Sequence, residues 1–292
     1  MDMEATASRA TIAVPARRAV RRVYRHRLPV RVMHWINVVC LTVLLMSGLN
    51  IFNAHPALYW GQESTFARPW ISFGARNTPR GPIGYTRIGD TEFTTTGVFG
   101  LSPAPGSGTP TARAFPGWAT IPGPQWLAMA RHWHFFFAWL FVINGAAYLL
   151  YTIFSRHLTR DLLPTRAELG NIGRSIVEHI KFKHPTGDAA ARYNVLQSLT
   201  YLVVIFGLLP LVVVAGLAMS PRLDTVFTGW VELLGGRQSA RTLHFLAAFG
   251  LLLFVVVHVA EVFIAGVWNE MRSMITGWYA IPEERAGRKE QP

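Results

Sequence analysis

The sequence predicts an all-α integral membrane protein: four transmembrane helices, with a long periplasmic loop between the first and the second. Three observations carry that expectation. The 292 residues are 51% hydrophobic and only 15% charged, against about 25% charged in an ordinary soluble domain. Four apolar runs stand out, roughly 35–52, 133–154, 199–219 and 243–265, each close to the ~20 residues that a membrane helix needs. The basic residues gather in the segments that four spans would leave on one side.

Those segments are the first thirty-one residues (Arg9, Arg17, Arg18, Arg21, Arg22, Arg25, Arg27, Arg31), the stretch after the second run (Arg156, Arg160, Arg166, Arg174, Lys181, Lys183, Arg192) and the tail (Arg272, Arg285, Arg288, Lys289). Positive charge stays inside, so both termini are expected in the cytoplasm. The net charge of +12 then reads as topology and lipid contact, and no nucleic acid partner is implied. About thirty polar and basic residues precede the first run and no small-residue cleavage site follows closely, so that run is expected to be a retained helix.

Taken in order, residues 1–30 form a basic, disordered arm and 281–292 a short tail. Between them lies a membrane domain, 31–280, with helices near 33–53, 130–155, 197–220 and 240–266. The loop at 54–129 is rich in proline and glycine (RNTPRGPIGYTRIGD, GLSPAPGSGTP) and carries Trp60, Trp70, Phe93, Phe99 and Trp118. No clear secondary structure is expected in it. Its aromatics suit a packed cap or a docking surface, and interfacial anchoring explains the tryptophans equally well. The loop at 156–196 is cytoplasmic. The third run holds Pro210 and no ionisable residue; it reads as scaffold, with neighbours covering the backbone groups that proline frees. Gly48, Gly145, Gly207, Gly216 and Gly250 serve either close helix packing or clearance for a flat macrocycle.

Cys40 is the only cysteine. That excludes an internal disulfide, a Cys-x-x-Cys-His haem attachment and a cysteine-ligated iron–sulfur cluster. The histidines are more telling. His26, His55, His157, His179 and His184 lie in polar segments and are expected at the surface. His34, His132, His134, His244 and His258 lie in or at the ends of membrane runs.

His244 and His258 share the fourth run. Fourteen residues at ~1.5 Å separate them by roughly 21 Å, and fourteen steps of ~100° return both to one face. Ionisable groups inside a bilayer are expensive and need partners. They are therefore read as axial ligands of two stacked haems. The first helix starts in the cytoplasm and the second and fourth start opposite. Hence His134 pairs with His244 on the periplasmic side and His34 with His258 on the cytoplasmic side. Two histidines fill both axial positions of an iron, which suits electron transfer rather than oxygen chemistry. The expected architecture is thus a four-helix transmembrane haem bundle. Zinc or copper needs ligands within a few ångströms of one another, which the two ends of one helix cannot supply. Satisfied histidines in a transporter core are the bland alternative.

The pattern Arg-x-x-His occurs three times, at Arg31/His34, Arg131/His134 and Arg241/His244. Residues three apart share a helix face, so each arginine can meet a haem propionate in bidentate fashion. The pattern favours His134 over His132. Glu261, one turn beyond His258, and Asn37, one turn beyond His34, are candidates for handling a quinone proton. An interface carboxylate paired with a loop arginine explains Glu261 as well.

The motifs RVMHWIN (31–37), RHWHFFFAWLFVING (131–145), KFKHP (181–185), YNVLQSLTY (193–201), GGRQSARTLHF (235–245), HVAEVFIAG (258–266) and MRSMITG (271–277) together resemble the bacterial cytochrome b561 and nickel–iron-hydrogenase b-type cytochrome family. Within it the chain looks most like the membrane cytochrome b subunits of periplasmic molybdopterin oxidoreductases. The resemblance implies two non-covalent b haems, with ligands from helices 1, 2 and twice from helix 4. It also implies electron exchange between the quinone pool and a soluble periplasmic partner. The rival expectation is a stand-alone superoxide:quinone oxidoreductase of the same fold, its substrate drawn by Arg131 and Arg241.

Overall fold

A computed structural model describes residues 20–155, 158, 162–180, 195–226 and 229–282, without the side chains of 178–180 and 282. The KFKHP motif, His157, His184 and the His179 side chain lie outside the described residues, as do most of the basic arm and tail.

The first strand, β1 (Val20–Tyr24), precedes α1 (Leu28–Asn53). Between α1 and α2 (Leu127–Phe154) come six strands: β2 (Ala57–Leu58), β3 (Ile71–Thr78), β4 (Gly81–Ile88), β5 (Thr91–Thr94), β6 (Gly100–Pro103) and β7 (Pro110–Arg113). After α2 come two short helices, α3 (Arg166–Gly170) and α4 (Ile172–Ile180). The third membrane-capable segment is α5 (Val195–Val203), a π-helical turn (Val204–Leu208) and α6 (Leu209–Ala218). Two short helices, α7 (Pro221–Val226) and α8 (Trp230–Leu233), lead into the 40-residue α9 (Arg237–Thr276) and the last strand, β8 (Trp278–Pro282).

Among the described residues, four segments are long and apolar enough to cross a membrane. Their outer faces carry exposed Phe135, Phe136, Trp139, Ile143, Leu253 and Phe263, as expected where the solvent is lipid rather than water. In the third segment, Pro210 sits in the first turn of α6, directly after the π-helical turn. Proline lacks an N–H and crowds the carbonyl four residues back. The backbone accommodates this by widening the turn before it. Helix α9 runs about 60 Å at 1.5 Å per residue, twice the hydrocarbon thickness. It breaks at Gly266 (φ 106°, ψ 84°), a conformation open to glycine and closed to most side chains.

The expectation of an all-α chain with an unstructured loop is corrected at 54–126. Strands β2–β3–β4–β5 form one antiparallel sheet and β6–β7 a hairpin packed on it. Gly89 and Asp90 make a two-residue turn between β4 and β5, with Gly89 at φ 56°, as a tight hairpin connection requires. At Gly100 (φ 78°) a Cβ would come 2.2 Å from the Gly74 carbonyl oxygen, so this close layer contact exists only because the side chain is absent. Phe52 and Phe115 are buried at the centre of an aromatic core with Phe73, Phe99, Phe245 and Phe249. Burying that apolar area, not the β-ladder alone, welds the cap onto α1 and α9.

Polar ties finish the join. Asn53 accepts from the Phe115 N–H at 2.8 Å and Asn50 donates to Pro124 at 2.9 Å. The Gly61 carbonyl accepts from the backbone N–H groups of Gln238 and Ser239 at 3.0 and 3.2 Å; these are orphan donors of the first turn of α9. Arg113, 3% exposed, donates to Phe115, Thr120 and Gly123 and so stitches the connection into α2.

The opposite end holds the first and last described strands. Strand β1 pairs antiparallel with β8, Val20 opposite Pro282 and Tyr24 opposite Trp278. Arg25 meets Glu270 at 3.3 Å and lies over the Tyr279 ring. Residues 20–24 of the expected disordered arm are therefore a strand. His26, expected at the surface, is 8% exposed, because the Gly277 turn closes over it through a bond from the Arg25 N–H.

Candidate functional site

Helix α1 packs on α2 and α6 on α9, while contact between α1 and α9 is sparse. Histidines from the two pairs of helices face one another across this thin contact. At the cap end the rings of His134 (α2) and His244 (α9) lie 6.1 Å apart, centre to centre, inclined at 66°. At the terminal end His34 (α1) and His258 (α9) lie 6.3 Å apart at 70°. His132 is exposed and takes no part.

A metal–imidazole bond of about 2.0 Å, plus roughly 1.1 Å from nitrogen to ring centre, sets two imidazoles on one ion about 6.2 Å apart. Both pairs match that spacing. T-shaped ring contacts cover the same range, so the ring nitrogens have to decide. At the cap end they do. The Nδ1 of His244 lies 2.7 Å from the Val212 carbonyl oxygen, which can only accept, so the proton is on Nδ1. Ser47 gives its own hydrogen to the Val43 carbonyl at 2.6 Å. Its oxygen is then left to accept from His134 Nδ1 at 3.1 Å. Both rings thus present a bare Nε2, the tautomer a metal needs, fixed by the partner on the other nitrogen. At the terminal end His258 stacks on Phe254 at 5.8 Å and His34 lies edge-on to Trp35 at 5.5 Å; packing orients these rings.

Two glycines make room. A Cβ on Gly216 would stand 3.1 Å from His244 Cε1 and one on Gly48 3.3 Å from His134 Cε1. Gly250 touches Leu208, whereas Gly145 and Gly207 face open space. Among the described residues no group of three or more His, Cys, Asp or Glu could hold a metal ion. The residues present fit haem: two histidine pairs, each spaced for one iron.

The arginines do not behave alike. Arg241 donates to the carbonyls of His55 and, at 2.8 Å, Ala57, and lies over the Phe52 ring. It is a strut between α9 and the cap. Arg31 donates to the Ile275 carbonyl at 2.5 Å and keeps a buried Nε without an acceptor. Arg131 is exposed and lies over Phe135. Asn37 accepts from Asn144 at 2.8 Å, and Asn144 also donates to Met33 at 2.9 Å. This is a polar link between α1 and α2 of the kind that joins helices in lipid. Glu261 is half-buried on α9.

Sequence reasoning missed Ser47, Asn144 and the Val212 carbonyl. Ser47 and Asn144 had a weak signal, as small polar residues inside apolar runs. The Val212 carbonyl had none.

The prokaryotic cytochrome b561 family model matches residues 25–277. The putative protein-methionine-sulfoxide reductase subunit YedZ1 of Azospira oryzae is 29% identical over 247 residues, covering 85% of this chain and 93% of that protein. No solved structure matches the chain. With four membrane-capable segments and a family match over most of its length, the chain belongs to the prokaryotic cytochrome b561 family, multi-pass membrane b-type cytochromes that bind haem b and carry electrons.

Proposed function

We propose that this chain is a two-haem cytochrome of the bacterial inner membrane that passes electrons between the quinone pool and a periplasmic, molybdopterin-dependent oxidoreductase. His134 and His244 would hold one haem at the periplasmic side, His34 and His258 another at the cytoplasmic side. The observation that carries this reading is a single helix, α9, offering two histidines fourteen residues apart to partner rings at 6.1 and 6.3 Å. Haem, when bound, supplies a one-electron iron couple that the side chains lack.

The chain's own residues hold, orient and insulate. Ser47 and Val212 fix the ring tautomers at one end, and apolar helix faces keep water away. A groove of about 550 Å³ lined by Val32, Trp35, Val39, Leu140 and Met274 opens beside Arg31. It is the place we assign to quinone, in preference to Asn37, whose side-chain oxygen is already engaged. The folded cap is the surface we assign to the partner. The relative's name, a reductase subunit, favours outward electron flow from quinol.

The test is haem quantification with reduced-minus-oxidised spectra on the purified chain. Two b haems per chain are expected. His134→Ala and His244→Ala each remove the same haem, His34→Ala and His258→Ala the other, and His132→Ala keeps both. A colourless wild type, or a full complement in His244→Ala, overturns the reading.

A further inference from the structure

His55 stands two residues beyond the end of α1, where the chain leaves the helix for the cap. Its ring stacks on Tyr59 at 5.6 Å and meets Phe66 edge-on at 5.7 Å. Its Nε2 is buried and has no partner. Burial, and then the charge of Arg241, hold its pKa below the ordinary value, so the ring is neutral near pH 7. A buried polar nitrogen left unpaired costs about 1–3 kcal/mol, so a partner belongs there. Beside the Arg241 guanidinium, which donates to His55's own carbonyl, that partner is an anion or an acceptor.

The position says which one. Arg241 is one turn outward of His244 and on the same face. Helix α1 touches the His134 ring at Ser47 and Gly48, and His55 is seven residues from Gly48, about 10 Å further outward. Haem carries two carboxylate arms, and charge is expelled from hydrocarbon toward the aqueous end. The arms of a haem held by His134 and His244 would point to this aqueous end, where His55 and Arg241 meet. The other end repeats the relation: Arg31, one turn outward of His34, also has a buried nitrogen without an acceptor.

We propose that His55 is a haem-positioning residue whose Nε2–H donates to a propionate of the haem held by His134 and His244, with Arg241 supplying the counter-charge. The proposal rests on the two-haem reading above.

The test compares His55→Phe, which keeps the aromatic stack and loses the donor, with His55→Gln, which keeps a donor. Full-length protein in nanodiscs is titrated for both midpoint potentials, the cap-end haem being identified by its absence in His134→Ala. Without the donor, propionate charge is less compensated, the oxidised iron is favoured, and the potential of that haem falls. The other haem stays unchanged. Transfer of haem to apomyoglobin should show roughly tenfold weaker retention at that site. His55→Gln should return both readouts toward wild type. Unchanged potentials and retention in His55→Phe overturn the proposal and leave the two-haem reading standing. Equal losses in Phe and Gln, with a lowered unfolding temperature, reduce His55 to a structural role and overturn it too. A wild type without haem at this site removes both readings.

Discussion

Three glycines form a graded probe of the space around the cap-end histidines. At Gly216 an added methyl would meet both Cε1 and Nδ1 of His244 at 3.1 Å, on the nitrogen that donates to Val212 at 2.7 Å. Neither neighbour can yield freely: the ring is held by that bond, and Val212 belongs to the same helix as Gly216. Overpacking of this kind costs about 1–3 kcal/mol, which at about 1.4 kcal/mol per decade is a 5- to 150-fold loss of haem affinity. At Gly48 the methyl meets His134 Cε1 at 3.3 Å and Nδ1 at 3.6 Å, a contact relieved by a few tenths of an ångström. About 0.5 kcal/mol, or twofold, is expected there. Gly145 faces nothing within 4 Å, and alanine even favours the helix by up to ~1 kcal/mol. The assay is haem transfer from each alanine variant to apomyoglobin, with the terminal-end haem as internal reference. The expected order of loss is Gly216→Ala, then Gly48→Ala, then Gly145→Ala at wild-type level. If Gly216→Ala holds its haem as tightly as Gly145→Ala, the His244 ring is not clamped as described and the reasoning fails.

Asn144→Ala should cost about 0.5–2 kcal/mol by breaking the α1–α2 link, read as a lower unfolding temperature with both haems retained. Quinol-driven haem reduction at the wild-type rate is expected; loss of that reduction without loss of stability would return Asn37 to the quinone site. The strap of β1 and β8 carries a pH signature. Burial, and then Glu270, raise the Tyr279 phenol above its ordinary value, so the folded strap favours the protonated ring. That stability is complete below pH ~10 and is lost as pH rises through the raised folded value. Proteolysis of the strap should therefore accelerate above pH 10 in wild type, and Tyr279→Phe should remove that acceleration.

The cap shows where reading a chain by composition stops. The Gly89–Asp90 pair is a hairpin signal, yet the surrounding prolines and glycines read more strongly as loop. Gly100 explains why: it stands where another backbone approaches to contact, which one segment's composition cannot reveal. His26 makes the same point from the other side. A histidine in a basic, polar stretch is buried only because residues 277–282 return to cover it, more than 250 positions later. Arg31 and Arg241 match the same Arg-x-x-His pattern, yet one keeps an unpaired nitrogen and the other braces the cap.

By itself the sequence determined the four apolar spans, the opposed ends of His244 and His258, and the partners each would face. A helix is a rigid ruler, and fourteen residues on it set distance and direction together. Tertiary structure alone decided the β-fold of the cap, the Nδ1 acceptors that set the ring tautomers, the Asn37–Asn144 link and the burial of the His55 Nε2. Each of these depends on which distant groups meet when the helices pack, and such contacts leave no periodicity in the chain that makes them.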